Sequence, residues 1–194
     1  IDSGKVIFEK EDLLTKDDEY LRKLRGNDIG IIVQNPRGAL NPMLRVGNQI
    51  SNVYRAHNSV SNSDASIRAI DMLRKVGIND PERRVDSYAH ELSGGMAQRA
   101  LIAMALSSNP RLLIADDPTS GLDVTIQAQF LDEMWGTVQE TGSAILLVTQ
   151  DLGIIANYCD RSVVLHEGRI VEEKPVQEFF KNPQHTYSRS IMAL

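Results

Sequence analysis

Two adjacent carboxylates, Asp116 and Asp117, end the apolar run Leu112-Leu113-Ile114-Ala115. Acids at the tip of a buried strand are costly to desolvate unpaired, so the position suits a cation or a reacting water. In phosphoryl-transfer sites the first acid of such a pair holds Mg2+, usually through water, and the second polarises the attacking water. Strand-end acids also cap following helices, and the pair alone leaves both readings open. A second group is Leu92-Ser93-Gly94-Gly95-Met96-Ala97-Gln98-Arg99, which leads into the apolar run 100–106. Ser93 is suited to the N-cap, and two glycines let an anion approach bare backbone N–H groups where the helix dipole is positive. An ordinary Ser-capped helix with glycines in its lead-in turn fits the same letters.

The elements that must position these groups follow from hydrophobic patterning. Short runs rich in Val, Ile and Leu at 6–8, 29–33, 112–115, 144–148 and 162–165 read as strands buried on both faces. Between the third and fourth, Ile126, Phe130, Leu131, Met134, Trp135 and Val138 form one helical stripe that Gly142 stops. Strand, helix, strand is a βαβ crossover, which places ligand sites at the carboxyl ends of strands, just after Ala115 and Val148. Near the end, 163–165 and 169–171 flank His166-Glu167-Gly168, a tight hairpin with Gly168 supplying a positive φ, and Pro175 starts a short helix through Phe179 and Phe180. The stretch 34–91 is polar and patterned for helices at Val46/Ile50/Val53/Tyr54 and Ile67/Ile70/Leu73/Val76, the latter ending at Gly77. It reads as a helical lobe inserted into an α/β core.

Composition bounds the function. With 194 residues, 42% hydrophobic and 24% charged, the chain is an ordinary folded protein rather than a disordered, collagen-like or coiled-coil one. Its longest apolar run, 100–106, is far short of the roughly 20 residues that cross a bilayer, and no secretory leader opens it, so any membrane association is expected to be peripheral. A formal charge of −5 lacks the basic excess of a nucleic-acid binder. The single cysteine, Cys159, has no disulfide or metal-site partner and suits a reducing compartment.

The order Gln34, Leu-Ser-Gly-Gly-Met-Ala-Gln-Arg, Ile-Ala-Asp-Asp, Ser120-Gly121-Leu122-Asp123, then Val148-Thr149-Gln150-Asp151 resembles the ATP-binding subunits of ABC transporters over essentially the whole chain. Arg22-Lys23-Leu24-Arg25-Gly26, Gln34-Asn35-Pro36, Leu40-Asn41-Pro42 and Asn182-Pro183-Gln184-His185-Thr186-Tyr187 resemble the oligopeptide, dipeptide and nickel importer branch. The resemblance implies an α/β fold with a P-loop NTPase-type, mostly parallel sheet and an inserted helical lobe. Residues 1–34 and 108–194 would belong to the core, and 35–107 to the lobe with its signature helix. It makes Gln34 the lobe-hinge glutamine that senses Mg2+ and the membrane subunit. Ser93, Gly94, Gly95 and Gln98 become the signature that caps a nucleotide bound on the opposite subunit. Asp116 matches the Mg2+ aspartate, Asp117 the catalytic-carboxylate position, Asp123 the cross-dimer aspartate and Gln150 the switch-histidine position. ATP and Mg2+ are the implied cofactors. The implied partners are a second ABC ATPase subunit, as homo- or heterodimer, and permease subunits through the lobe, with a solute-binding protein engaged only indirectly. The implied location is the cytoplasmic face of the membrane.

Three departures from the family pattern matter. No Gly-x-x-x-x-Gly-Lys-Ser/Thr occurs; Gly4-Lys5 is the only Gly-Lys pair and is followed by Val. In the family that phosphate loop precedes the segment beginning Ser3, so the chain reads as a fragment lacking its first strands and residues beyond Leu194. Alone it is expected to bind ATP poorly, because the N–H cradle and its lysine are not in the sequence. Asp117 stands where the family usually has Glu, one methylene further back, and Gln150 stands where it has His, which removes any proton transfer at that position. These two changes motivate an alternative: a catalytically weak subunit of an asymmetric heterodimer that completes its partner's site through Ser93-Gly94-Gly95.

Overall fold

The computed structural model describes residues 3–34, 36–119 and 124–193, without the side chains of Pro36, Arg37, Val124 and Ile126. Two compact units emerge, Ile1–Val148 and Thr149–Leu194.

In the first unit, β3 (Ile29–Ile32), β4 (Leu112–Asp116) and β5 (Ala144–Val148) form a parallel sheet in the order β3-β4-β5. Ile32 lies opposite Ala115, and Asp116 opposite Val148. In-register parallel residues share a face, so Gly30, Ile32, Leu113 and Ala115 point to one side, where Ile32, Leu113 and Ala115 are buried. Helix α6 (Gly94–Ala105) packs against β3 on that side. The approach requires glycine: a Cβ at Gly30 would stand 2.6 Å from the Ala105 carbonyl oxygen and 3.3 Å from Leu113 Cδ1. Helix α7 (Val124–Thr141) links β4 to β5, buries Phe130, Leu131, Met134 and Val138, and is followed by Gly142 at φ +67, as the apolar stripe predicts.

The strands are not buried on both faces, contrary to their unbroken apolar pattern. Ile31, Leu146 and Val148 are 55%, 53% and 50% exposed, whereas Ile32, Leu113 and Ala115 on the helix-packed side are buried. The run 6–8 is not a core strand either. It forms β1 (Ile7–Phe8), a short antiparallel hairpin with β2 (Glu11–Asp12) whose left-handed turn residues are Glu9 and Lys10, and it precedes α1 (Asp18–Leu24).

The helical segment contains α2 (Pro36–Ala39), α3 (Val46–His57), α4 (Asn62–Lys75) and α5 (Pro81–Arg84). Ser61 caps α4 by accepting the Asp64 N–H at 3.1 Å. The buried stripe of α4 is Ala65, Ala69, Met72 and Leu73, and Ile67 of the expected stripe is exposed. Ile67 sits roughly 200° around the helix from Ala65, so one face cannot hold both. α6 joins the two parts of this unit, touching α2, α3 and α4 as well as β3.

The second unit contains α8 (Leu152–Tyr158), the hairpin β6 (Arg161–His166) and β7 (Arg169–Pro175), α9 (Val176–Lys181) and α10 (Thr186–Met192). Glu167 and Gly168, at φ +48 and +74, both take the left-handed conformation of a type I′ turn, where the sequence reading had assigned it to glycine alone. The inner face of the hairpin buries Val164, Ser162 and Glu172. Glu172 accepts the Gln184 N–H at 2.8 Å and the His185 N–H at 3.0 Å, and pairs with Lys174 at 3.0 Å. His166 stacks on Tyr187 at 3.8 Å, a second tie between hairpin and α10. Cys159 is half-buried, and burial pushes its thiol up.

The Ser188 hydroxyl, the two N–H groups and Lys174 hold the Glu172 carboxyl down at about 2. A carboxylate depressed on folding contributes stability that is present above its unfolded value, near 4.3, and lost as pH falls toward 2. Glu172→Gln should therefore lower the thermal midpoint at pH 6 and shrink its further fall between pH 6 and pH 2.5. An identical pH dependence in parent and variant would contradict this assignment.

Candidate functional site

The parallel register builds the site. Extending the Ile32–Ala115 pairing by two residues sets Gln34 opposite Asp117, and Gln34 Nε2 donates to Asp117 Oδ2 at 3.1 Å across 83 residues of sequence. The Asp117 N–H donates to the Val148 carbonyl at 2.8 Å. Asp117 has φ +44, an uncommon conformation outside glycine that Asp tolerates, so it leaves the extended alternation of β4. Its backbone is thus held by the end of β5 and its side chain by Gln34, two residues after β3. Asp116 is exposed at the strand tip beside it.

Among the described residues no cluster of three or more His, Cys, Asp and Glu is arranged to hold a metal unaided. Mg2+ takes one or two carboxylates and completes its shell with water and phosphate oxygens. Asp116, exposed at the tip of β4, and half-buried Asp117 with the Gln34 amide on it suit such an ion in donor type.

At the other end of this unit's chemistry, Ser93 is the N-cap of α6 and its Oγ accepts the Met96 N–H at 3.2 Å. Gly94 and Gly95 occupy the first turn of the helix itself rather than a lead-in turn. A Cβ built at either would meet nothing within 4 Å. The helix tip is therefore open, with first-turn N–H groups that have no intrahelical acceptor. Gln98 does not share that tip: it is 3% exposed, in the packed part of α6, so its expected nucleotide contact gives way to a place in the core. Gln150 is exposed in the second unit, next to Asp151, whose carboxylate caps α8 by accepting the Gly153 and Ile154 N–H groups at 2.8 and 3.1 Å. Asp123, with Ser120, Gly121 and Leu122, lies outside the described residues.

Two residues to which motif reading gives no role also shape the site. Gln49 falls in helical register with Val46 and Ile50 and is buried like them. Its amide accepts the Asn41 N–H at 2.8 Å and donates to the Asn41 and Leu44 carbonyls at 3.1 and 3.0 Å, which braces the loop that leaves Met43 81% exposed. A polar side chain inside an apolar stripe was the available signal. The second residue is Arg99, on the same helix as Ser93.

The sequence matches the ABC transporter family over residues 1–120. It is 45% identical to the oligopeptide transport ATP-binding protein OppD of Bacillus subtilis, covering 98% of this chain and 53% of that protein. It is 48% identical to a Brucella melitensis protein provisionally named a peptide import ATP-binding protein, covering 99% and 58% respectively. The chain thus spans little more than half the length of these curated relatives. Among solved structures it superimposes on the dimeric post-hydrolysis ATP-binding cassette MJ0796 bound to ADP and Pi with a TM-score of 0.79, 25% identity and coverage of 90% of this chain and 74% of that one. On cbiO1 of Clostridium perfringens the TM-score is 0.78 at 28% identity, with coverage of 93% and 69%. The parallel sheet with its helical segment is the ATPase-cassette fold, and the chain belongs to the ABC transporter family.

Proposed function

We propose that this chain forms the greater part of the ATP-hydrolysing subunit that energises an ABC importer for peptides or a related small solute. The observation that carries the reading is the pairing of Gln34 with Asp117 at the sheet tip, in a chain that also presents an open Ser93-Gly94-Gly95 helix tip. The peptide-transport names of its relatives support the cargo class.

In this reading Asp117 orients the water that attacks the γ-phosphorus of ATP, and Gln34 holds the carboxylate through its amide. Asp116, with Gln34, would hold Mg2+, which when bound would neutralise phosphate charge. The Ser93 hydroxyl and the Gly94 and Gly95 N–H groups cap the γ-phosphate of a nucleotide on a second subunit, where the helix dipole favours negative charge. Gln150 donates an amide hydrogen bond to phosphate at its own site, and Asp123 acts across the dimer.

The partners are a second ABC ATPase subunit and permease subunits that dock on the lobe between Gln34 and Tyr54, where the braced Met43 is exposed. A solute-binding protein acts only indirectly. Peripheral attachment at the cytoplasmic membrane face accords with the finding that no described helix is long and apolar enough to cross a membrane. The asymmetric heterodimer has no support in the relatives' names or in the dimeric cassette.

In the full-length parent assembled in its transporter, Asp117→Asn should lower ATP turnover on the order of 10²-fold or more while ATP binding persists. Unchanged turnover would remove Asp117 from the reaction. Ser93→Ala should cost about 1 kcal/mol of fold stability through the lost cap and Ser93→Gly only a few tenths. Turnover should nevertheless fall in both variants, since both lose the hydroxyl. Normal turnover in Ser93→Gly would confine Ser93 to capping.

A further inference from the structure

Arg99 lies six residues after Ser93 on α6, with its side chain only 15% exposed. Its Nη1 donates to the Val76 and Gly77 carbonyls, each at 3.0 Å, where α4 ends. A cation there also meets the negative end of the α4 dipole. The same nitrogen is ion-paired with Glu133 of α7, and Gln129 Nε2 supports Glu133 Oε1 at 3.3 Å. Glu133 Oε2 is buried and takes no hydrogen bond among the described residues, which leaves the Arg99 charge to compensate it. Gly77 is left-handed at φ +69. A Cβ there would collide with Arg99 Nη1 and stand 3.0 Å from Glu133 Oε1. Three helices therefore converge on one guanidinium, and a side chain at position 77 would both strain the left-handed backbone and displace the Arg99 tip.

This joint differs from the lobe's other ion pairs. Arg45 with Asp86, and Arg74 with Asp71 and Glu82, are each about half exposed or more, and such pairs contribute little. Removing either partner of this mostly covered pair leaves the other charge poorly compensated, which weakens the α6–α7 contact. One guanidinium nitrogen, Nη1, faces both carbonyls and the carboxylate, so a single cation is shared among the three.

We infer that Arg99 is a positioning residue. Through Val76, Gly77 and Glu133 it fixes the rotation and depth of α6, and with them the Ser93-Gly94-Gly95 tip, against α4 and α7. The inference rests on the reading of the α6 tip as a phosphate cap and assigns that site a control point some 9 Å along the helix, at about 1.5 Å per residue.

The test uses the full-length parent in its transporter complex, measuring ATP turnover, KM for ATP and thermal midpoint for Arg99→Gln, Arg99→Lys, Glu133→Gln and Ser93→Ala. Arg99→Gln and Glu133→Gln, the second nearly isosteric, should lower kcat about 10- to 100-fold with KM for ATP shifted less than about threefold. Arg99→Lys, which keeps the charge, should recover part of that loss. If Ser93→Ala lowers turnover while Arg99→Gln and Glu133→Gln leave it normal, the positioning role is overturned and the cap reading survives. If Ser93→Ala leaves turnover normal, the cap reading falls and this inference with it. Loss of kcat that merely follows the thermal midpoint, and returns on cooling, would reduce Arg99 to a support of the fold and overturn the inference.

Discussion

The register of β3 against β4 is the constraint on which the rest of the structure depends. Pairing Ile32 with Ala115 sets Gln34 beside Asp117, and pairing Asp116 with Val148 brings the Val148 carbonyl to the Asp117 N–H. A slip of one residue would turn every side chain of β3 to the other face and separate the glutamine from the carboxylate. The register is pinned by burial on one side only. Ile32, Leu113 and Ala115 fill that side, and Gly30 leaves just enough room for the Ala105 carbonyl of α6. Thus the same packing that fixes the strands fixes the helix that carries Ser93.

Around this apolar seam, the polar groups that matter mechanically are the covered ones. Gln49 shapes the loop carrying Met43, and Arg99 ties the end of α4 to α6 and α7. In the second unit Glu172 does the same for the start of α10. Each satisfies backbone groups that turns and helix ends leave without partners, which is what gives a loop one conformation rather than several. The groups assigned to chemistry, Gln34, Asp116, Ser93 and Gly94, are instead exposed at element ends. Rigid supports with exposed tips suit a site completed by another surface.

Much of this was legible in the sequence. The run 144–148 forms β5 with the same bounds, Ser93 caps its helix, and α7 buries the stripe that its apolar spacing implies. Motif order identified the family before any geometry. What escaped was whatever depends on a neighbour rather than on a pattern. Ile31 and Leu146 are apolar yet exposed, because spacing shows that a face is apolar and not what lies on it. Ile67 belongs to an apolar register that α4 does not bury, and Gln98 follows a binding motif yet points into the core. Glu172, Gln49 and Arg99 looked like ordinary polar letters. Their roles come from partners up to 34 residues away or across a turn, which no local periodicity encodes.

The central claim is that strand register makes Gln34 and Asp117 one functional unit. It is tested most directly by a double-mutant cycle of Gln34→Ala and Asp117→Asn on ATP turnover in the full-length parent within its transporter. The structure predicts strong non-additivity: the double variant should be scarcely worse than Asp117→Asn alone, with a coupling of about 0.5–3 kcal/mol. Effects that add within about 0.3–0.5 kcal/mol would contradict it.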